Sequence, residues 1–336
     1  MNVTDKKLRW GVLSTANIAR AAVNPAIQSS RNGTLVAVAS RDRDRAHAFA
    51  AQWAIPRAYG SYEALLDDPE IDAVYIPLPN SMHLEWTVRA AERKKHVLCE
   101  KPLAMSAAEC LEMKRVCDAN GVKLMEAFMY RFHPRTREAV RRVAAGEIGD
   151  AGIVRSAFTF RLTRPENIRL SKELGGGSLM DVGCYCVNVS RTLLGAEPVE
   201  VQAFATWAAS GVDATMAGAL RFASGAVALF DSALTLERRE HYEIAGTLGS
   251  LTAEAAFLPG KGAATLVQRA AGGSETRHET PGVDQYQLMV EHFADAVLEG
   301  TPLLHAVDDA ARNMAVIEAL HRSARSGGKP ELVPRT

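Results

Sequence analysis

Three residues in this chain carry side chains that could move a proton between them, and their settings differ. Lys101 closes the run His96-Val97-Leu98-Cys99-Glu100-Lys101-Pro102, where apolar residues give way abruptly to a carboxylate, an ammonium and a proline. Such a run predicts a buried strand with a charged pair at its carboxyl end, and in an open parallel sheet ligands sit outside those ends. A salt-bridged strand terminus is the plainer alternative. Pro102 fixes its own φ and biases Lys101 toward extended backbone, which would hold the lysine side chain in one direction. The other two residues are Asp181 and Tyr185, spaced i, i+4 behind Gly175-Gly176-Gly177. If that segment is helical, carboxylate and phenol share a face, and a face of that kind aimed at Lys101 would make a proton-transfer site. Taken alone, the pair also reads as a capping Asp and a core Tyr on a buried helix.

The elements that must position these groups alternate through the first part of the chain. Residues 10–13 read as a short apolar strand, and Ser14, Thr15, Ala16, Asn17, Ile18 and Ala19 occupy the turn where a dinucleotide fold places G-x-G-x-x-G. None of the three glycines is present, yet small residues there can partly let backbone N–H groups and a helix N-terminus approach a pyrophosphate. The strand at 35–39 ends in Ser40-Arg41-Asp42, where an NAD site would offer an acidic residue to the ribose 2′-hydroxyl. A hydroxyl and a guanidinium suit a 2′-phosphate, so NADP is expected, with NAD as the lesser alternative. The structural alternative is that Arg41 merely opens a charged helix over 42–53. Further strands are expected at 73–76 and 123–125. A rigid turn at Pro77-Leu78-Pro79-Asn80 leads into a helix at 81–93, which puts Asn80 and His83 among the candidate neighbours of the cofactor together with Pro79 and Glu100. Ser106 and Glu109 form a capping box for a helix ending at Asn120-Gly121. Repeated β-α units imply a parallel sheet covered by helices on both faces.

Beyond residue 125 the pattern changes. Residues 153–161 alternate like a half-buried strand, and hairpins are expected about Ala223-Ser224-Gly225 and Gly246-Thr247-Leu248-Gly249. A helix capped by Asp284 and Gln287 and another at 308–325 follow, with a loose tail from Gly327. The expected fold is therefore α/β: a dinucleotide-binding domain over 1–127 and an α+β domain over 128–336 built on a largely antiparallel open sheet. The glycine triplet between its strands suggests backbone passing close to a nicotinamide or a sugar.

Composition narrows the function classes. Lys plus Arg and Asp plus Glu are both 39 of 336 residues, so no net field draws the protein to nucleic acid or a membrane surface. No stretch has the length of a signal peptide or a membrane span, and five cysteines without paired spacing make no disulfide framework. A cytoplasmic protein without a metal site is expected.

Several separated motifs agree with one another: the turn from Gly11 to Ala19, Glu100-Lys101-Pro102, Met129-Tyr130-Arg131-Phe132-His133-Pro134, and Gly175 to Tyr185. Together they resemble the Gfo/Idh/MocA oxidoreductases over residues 8 to the last helix. The Ser-Thr-Ala-Asn-Ile-Ala turn, Asn167-Ile168-Arg169 and Tyr185 are most similar to the branch of D-xylose dehydrogenase, glucose–fructose oxidoreductase and dihydrodiol dehydrogenase. The inositol dehydrogenase branch has a histidine where this chain has Tyr185. The resemblance implies a Rossmann domain and an α+β domain whose open sheet mediates dimers or tetramers. It also implies that Lys101 and Tyr185 are the catalytic pair, with Asp181 orienting or binding substrate beside them. Arg131, His133 and Arg169 are candidate substrate contacts. The expected activity is NADP-dependent hydride transfer to or from a carbinol carbon of a sugar, sugar derivative or cyclic diol. Reduction of a nucleotide-linked keto sugar and a non-catalytic dinucleotide-binding regulator are the alternatives.

Overall fold

The computed structural model describes residues 6–334; residues 1–5, part of the charged N-terminal stretch, and residues 335–336 of the tail lie outside the described residues. The chain divides into two units. The first runs to Met129 and includes Asp284–Ala311, and the second comprises Tyr130–Val283 and Arg312–Thr336. In the first unit, strands β1 (Leu8–Leu13), β2 (Gly33–Ala39), β3 (Arg57–Tyr59), β4 (Ala73–Ile76), β5 (His96–Cys99) and β6 (Leu124–Glu126) form a sheet in the order β3-β2-β1-β4-β5-β6. Every pairing in it is parallel. Helices α1 (Asn24–Ser29), α2 (Arg43–Gln52), α3 (Tyr62–Leu66), α4 (His83–Glu92) and α5 (Ala107–Asn120) supply the crossovers. All four residues of β4 are buried, as strands covered on both faces must be. The cap of α5 forms as its sequence requires, with Ser106 Oγ accepting from the Glu109 N–H at 3.1 Å and Gly121 closing the helix at φ +69°.

The second unit contains α6 (Pro134–Ala144), β7 (Ala151–Arg161), α7 (Cys184–Leu194), β8 (Pro198–Trp207), β9 (Asp213–Phe222), β10 (Val227–Ala233), β11 (Thr235–Gly246), β12 (Gly249–Glu254), β13 (Ala264–Ala270) and β14 (Glu275–Thr280). After α8 (Gln285–Leu298) and α9 (Val307–Arg325), strand β15 (Glu331–Leu332) ends the described chain. The sheet runs β14-β13-β12-β11-β7-β10-β9-β8-β15, and only the β7–β10 pairing is parallel. α7 lies against β7 and β10 on one face. The other face presents Phe204, Ala217, Ala219 and Leu229, which register places side by side: Phe204 pairs with Ala217, and Ala219 with Leu229.

Two expectations need correction. Residues 284–311 were assigned to the second domain, but they pack with the first unit. Phe293 of α8 meets Trp10 at 5.3 Å between ring centroids, and Asp295 Oδ1 accepts from Asn32 Nδ2 at 2.7 Å. An apolar stripe shows that a helix has a buried face without saying which sheet buries it. The tail is not loose either. Glu331 and Leu332 pair with Val201 and Glu200 of β8, and the carbonyl of Gly328 accepts from Gln202 Nε2 at 2.6 Å. Glycines at φ +74° and +81° make the turn that brings this strand back, so they shape the tail rather than loosen it.

Candidate active site

In the first unit β2, β1, β4 and β5 are neighbours, so the segments at their carboxyl ends come together along one edge of the sheet, at the point where the strand order reverses. After β1, Ser14 has φ +137°, a conformation that favours glycine and that the missing first glycine of the fingerprint would occupy. The helix then opens with the Arg20 N–H bonding to the Ala16 carbonyl at 3.1 Å, and the first turn of a helix offers backbone N–H groups of the kind that suit a phosphate. After β2, Asp42 is committed to capping α2: its Oδ1 accepts from the Arg45 N–H at 3.0 Å. Its own N–H donates to Ser40 Oγ at 3.3 Å. That leaves exposed Arg41 as the group this strand end offers, and its guanidinium also reaches the phenol of Tyr62, which burial pushes above the ordinary tyrosine range. A cationic strand end with its carboxylate occupied fits a 2′-phosphate better than a free 2′-hydroxyl.

After β4, Pro79 caps the short turn Asn80–Met82, and His83 begins α4 fully buried. Its Nδ1 lies 3.1 Å from the carbonyl of Pro102 and its Nε2 2.9 Å from that of Leu78. Both ring nitrogens face backbone carbonyls, one of which accepts the single N–H of the neutral ring, and His83 ties the loop after β4 to the loop after β5. After β5, Glu100 Oε1 accepts from the Tyr75 hydroxyl at 2.5 Å and Oε2 from the Lys101 N–H at 3.2 Å, which holds the peptide carrying the lysine.

In the second unit, Gly176 and Gly177 pass close to other parts of the chain. A Cβ on Gly176 would lie 2.3 Å from the carbonyl oxygen of Arg169, and one on Gly177 would lie 2.3 Å from Asp213 Oδ1. Leu179–Gly183 is a π turn that runs into α7, and in this wider turn Asp181 and Tyr185 remain about one turn apart. Asp181 Oδ2 accepts from Arg169 Nε at 2.6 Å, so two of the predicted residues meet directly. The Tyr185 ring is 5% exposed and enclosed by Phe257, Phe158 and Tyr130 at 5.2, 5.4 and 5.8 Å between centroids.

Arg131 stands on the short turn Met129–Phe132. His133 caps α6, its Nδ1 accepting from the Arg135 N–H at 3.1 Å, and burial lowers its pKa to about 4. Its Nε2 has no partner among the described residues.

Two family descriptions cover most of the chain: an oxidoreductase family with an NAD-binding Rossmann fold over residues 8–128, and the GFO/IDH/MocA C-terminal domain over residues 136–252. The chain belongs to the Gfo/Idh/MocA oxidoreductase family. It is 44% identical to D-xylose 1-dehydrogenase (NADP(+)) 2 of Haloferax volcanii, across 97% of this chain and 100% of that protein. Among solved structures, aldose-aldose oxidoreductase of Caulobacter crescentus superposes with a TM-score of 0.89 at 31% identity, covering 97% of this chain and 100% of that one. A 3-ketoreductase of Actinomadura kijaniata, in complex with NADP and TDP-benzene, gives 0.89 at 29%, covering 95% and 98%. The protein is therefore an enzyme, an oxidoreductase of the nicotinamide-dinucleotide kind.

Within this Gfo/Idh/MocA framework the sequence reading passed over Tyr75, Tyr62, Phe158 and Phe257. Phe158 lay in the alternating run at 153–161 and could have been found by its inward parity. Tyr75 could have been flagged as a phenol on a strand bordering the lysine strand. Phe257 sits between strands in an irregular segment and leaves no local signal. Among the described residues no group of three or more His, Cys, Asp or Glu could hold a metal, and no helix is long and apolar enough to cross a membrane.

Proposed function

We propose that the protein is an NADP-dependent dehydrogenase or reductase of a sugar, a sugar derivative or a cyclic diol, in which Lys101 and Tyr185 act on one substrate carbinol. The observation that carries this reading is the edge of the first sheet, where the small-residue turn, Ser40-Arg41 and Glu100-Lys101 end neighbouring strands. Bound NADP supplies the hydride acceptor or donor. Residues 14–18 hold its phosphates by backbone amides and Arg41 its 2′-phosphate, with Pro79, Asn80 and Glu100 along the same edge. In the oxidation direction Tyr185 takes the hydroxyl proton as phenolate. The Lys101 ammonium favours that charge and the developing alkoxide. Asp181, held by Arg169, orients a neighbouring hydroxyl, and Arg131 is a further contact. The aromatic enclosure fixes the Tyr185 ring, so little reorganisation accompanies proton transfer.

A nucleotide-linked keto sugar is the second substrate reading, favoured by the likeness to the 3-ketoreductase. The identity to the xylose dehydrogenase is higher and extends over the whole of that protein, which supports the free sugar. The same enzyme is proposed to work as a dimer or tetramer through the outer face of the nine-stranded sheet, where Phe204 is 62% exposed. All five cysteines are buried thiols, which supports a reducing, cytoplasmic setting. The test is turnover of NADP with a panel of pentoses, hexoses, cyclic diols and nucleotide-linked keto sugars. Oxidation of at least one free aldose or diol is expected. Activity on nucleotide-linked sugars alone would select the second reading, and NADP binding without turnover of any of them would favour a regulator.

A further inference from the structure

We propose that Asp213 is a positioning residue that sets the geometry of the segment carrying Asp181 and Tyr185. This rests on the reading of Tyr185 as the proton-transfer group. Asp213 opens β9 and is 1% exposed. Its Oδ2 accepts from the Ser178 hydroxyl at 2.7 Å and from the Leu179 N–H at 2.6 Å, the residues that begin the π turn. Its Oδ1 accepts from His321 Nε2 of α9 at 3.2 Å. Ser232 of β10 completes the cluster, its hydroxyl 3.0 Å from Ser178 Oγ.

Both ends of the π turn are gauged against these two strands. Gly177 stands at φ +117° with no room for a Cβ beside Asp213 Oδ1. At the far end, a Cβ on Gly183 would lie 2.9 Å from Ser232 Oγ. The preceding loop is tied to the same point, because the Gly177 N–H donates to the Arg169 carbonyl at 2.8 Å while Arg169 Nε holds Asp181. A buried carboxylate accepting three hydrogen bonds is costly to leave unsatisfied, which makes the latch stiff. Tyr185 lies in the first turn of α7, immediately after the π turn, so any slip of Ser178 and Leu179 along β9 displaces its hydroxyl and the Asp181 carboxylate together. Displacements of about 1 Å can cost about 10²-fold in rate. Asp213 itself takes no part in the chemistry.

The test compares Asp213→Asn, Asp213→Ala and Ser178→Ala by amide hydrogen exchange, NADP titration and steady-state kinetics. Asp213→Asn keeps one acceptor for the Leu179 N–H, so it should lower kcat by about tenfold, and Asp213→Ala by about a hundredfold. NADP affinity should stay near wild type. Exchange should rise in peptides covering residues 177–186 and little elsewhere. Combined with Tyr185→Phe, either substitution should cost far less than the product of the single losses. Normal exchange in residues 177–186 of Asp213→Ala would overturn the latch whatever Tyr185 does, and exchange rising throughout the second unit with unchanged kcat per NADP-binding site would reduce Asp213 to a core residue. If Asp213→Ala does not fold, Ser178→Ala decides on the same readouts. Normal turnover by Tyr185→Phe alone would overturn the functional reading while the exchange result still stands or falls by itself.

Discussion

Tyr185 combines a reactive hydroxyl with a ring packed among Phe158, Phe257 and Tyr130, so removing only the hydroxyl leaves the packing in place. Tyr185→Phe is expected to retain the wild-type Tm and NADP affinity while turnover falls by about 10² or more, as for a lost acid/base group. Lys101→Ala should be comparably severe, and the double variant little worse than either alone. At Arg41 the strand end carries charge and no uncommitted carboxylate, so Arg41→Ala should weaken NADP far more than NAD; titration showing equal losses would remove the guanidinium from cofactor choice. His133 gives a pH prediction. Burial lowers its pKa from the ordinary 6.5 to about 4, so between those values the unfolded chain binds the proton and the folded one does not. The stabilisation from a neutral His133 is complete above pH 6.5 and is lost as pH falls toward 4, by up to roughly 3 kcal/mol. His133→Asn, which can still cap α6, should flatten this part of the stability–pH curve measured by denaturant unfolding.

Among the elements, the glycine triplet is the most exposed to substitution. Gly176→Ala would drive a Cβ against the Arg169 carbonyl, which is backbone and cannot swing aside. We expect the loop from 169 to 177 to shift, with kcat/KM for the sugar falling by an order of magnitude or more while NADP binding by the first unit is unchanged. A variant with normal kinetics would show that this loop adapts. The strand ends of the first sheet behave differently, because their groups are placed by neighbouring strands and helix caps. Ser106 caps its helix as its place in the sequence suggests, whereas Asp42 is drawn into a cap of α2 and His83 braces two loops.

At the scale of the whole molecule, the outer face of the second sheet carries a patch that register makes continuous, with Phe204 and Leu229 both exposed around Ala217 and Ala219. Isolated apolar residues on a surface need no partner, but a contiguous patch on an open sheet does. Sedimentation should show a dimer or tetramer. Phe204→Asp with Leu229→Asp should shift it toward monomer without unfolding the chain, and a wild-type monomer at all concentrations would leave the patch unexplained. The sequence by itself determined the parallel β-α half, its lysine-bearing strand, the missing acidic partner of a ribose hydroxyl and the hairpins of the second half, because periodicity, caps and turn residues are local and each is written within about a dozen neighbours. It also offered Lys101, Asp181 and Tyr185 as candidates, through the family resemblance of the motifs that carry them. Only the tertiary structure decided that α8 returns to the first sheet, that the tail adds a strand to the second, and that the Arg169 backbone and Asp213 press on Gly176 and Gly177. Those facts depend on which distant surfaces bury one another, and a hydrophobic stripe, a glycine or a buried aspartate records the need for a partner without recording the partner's identity.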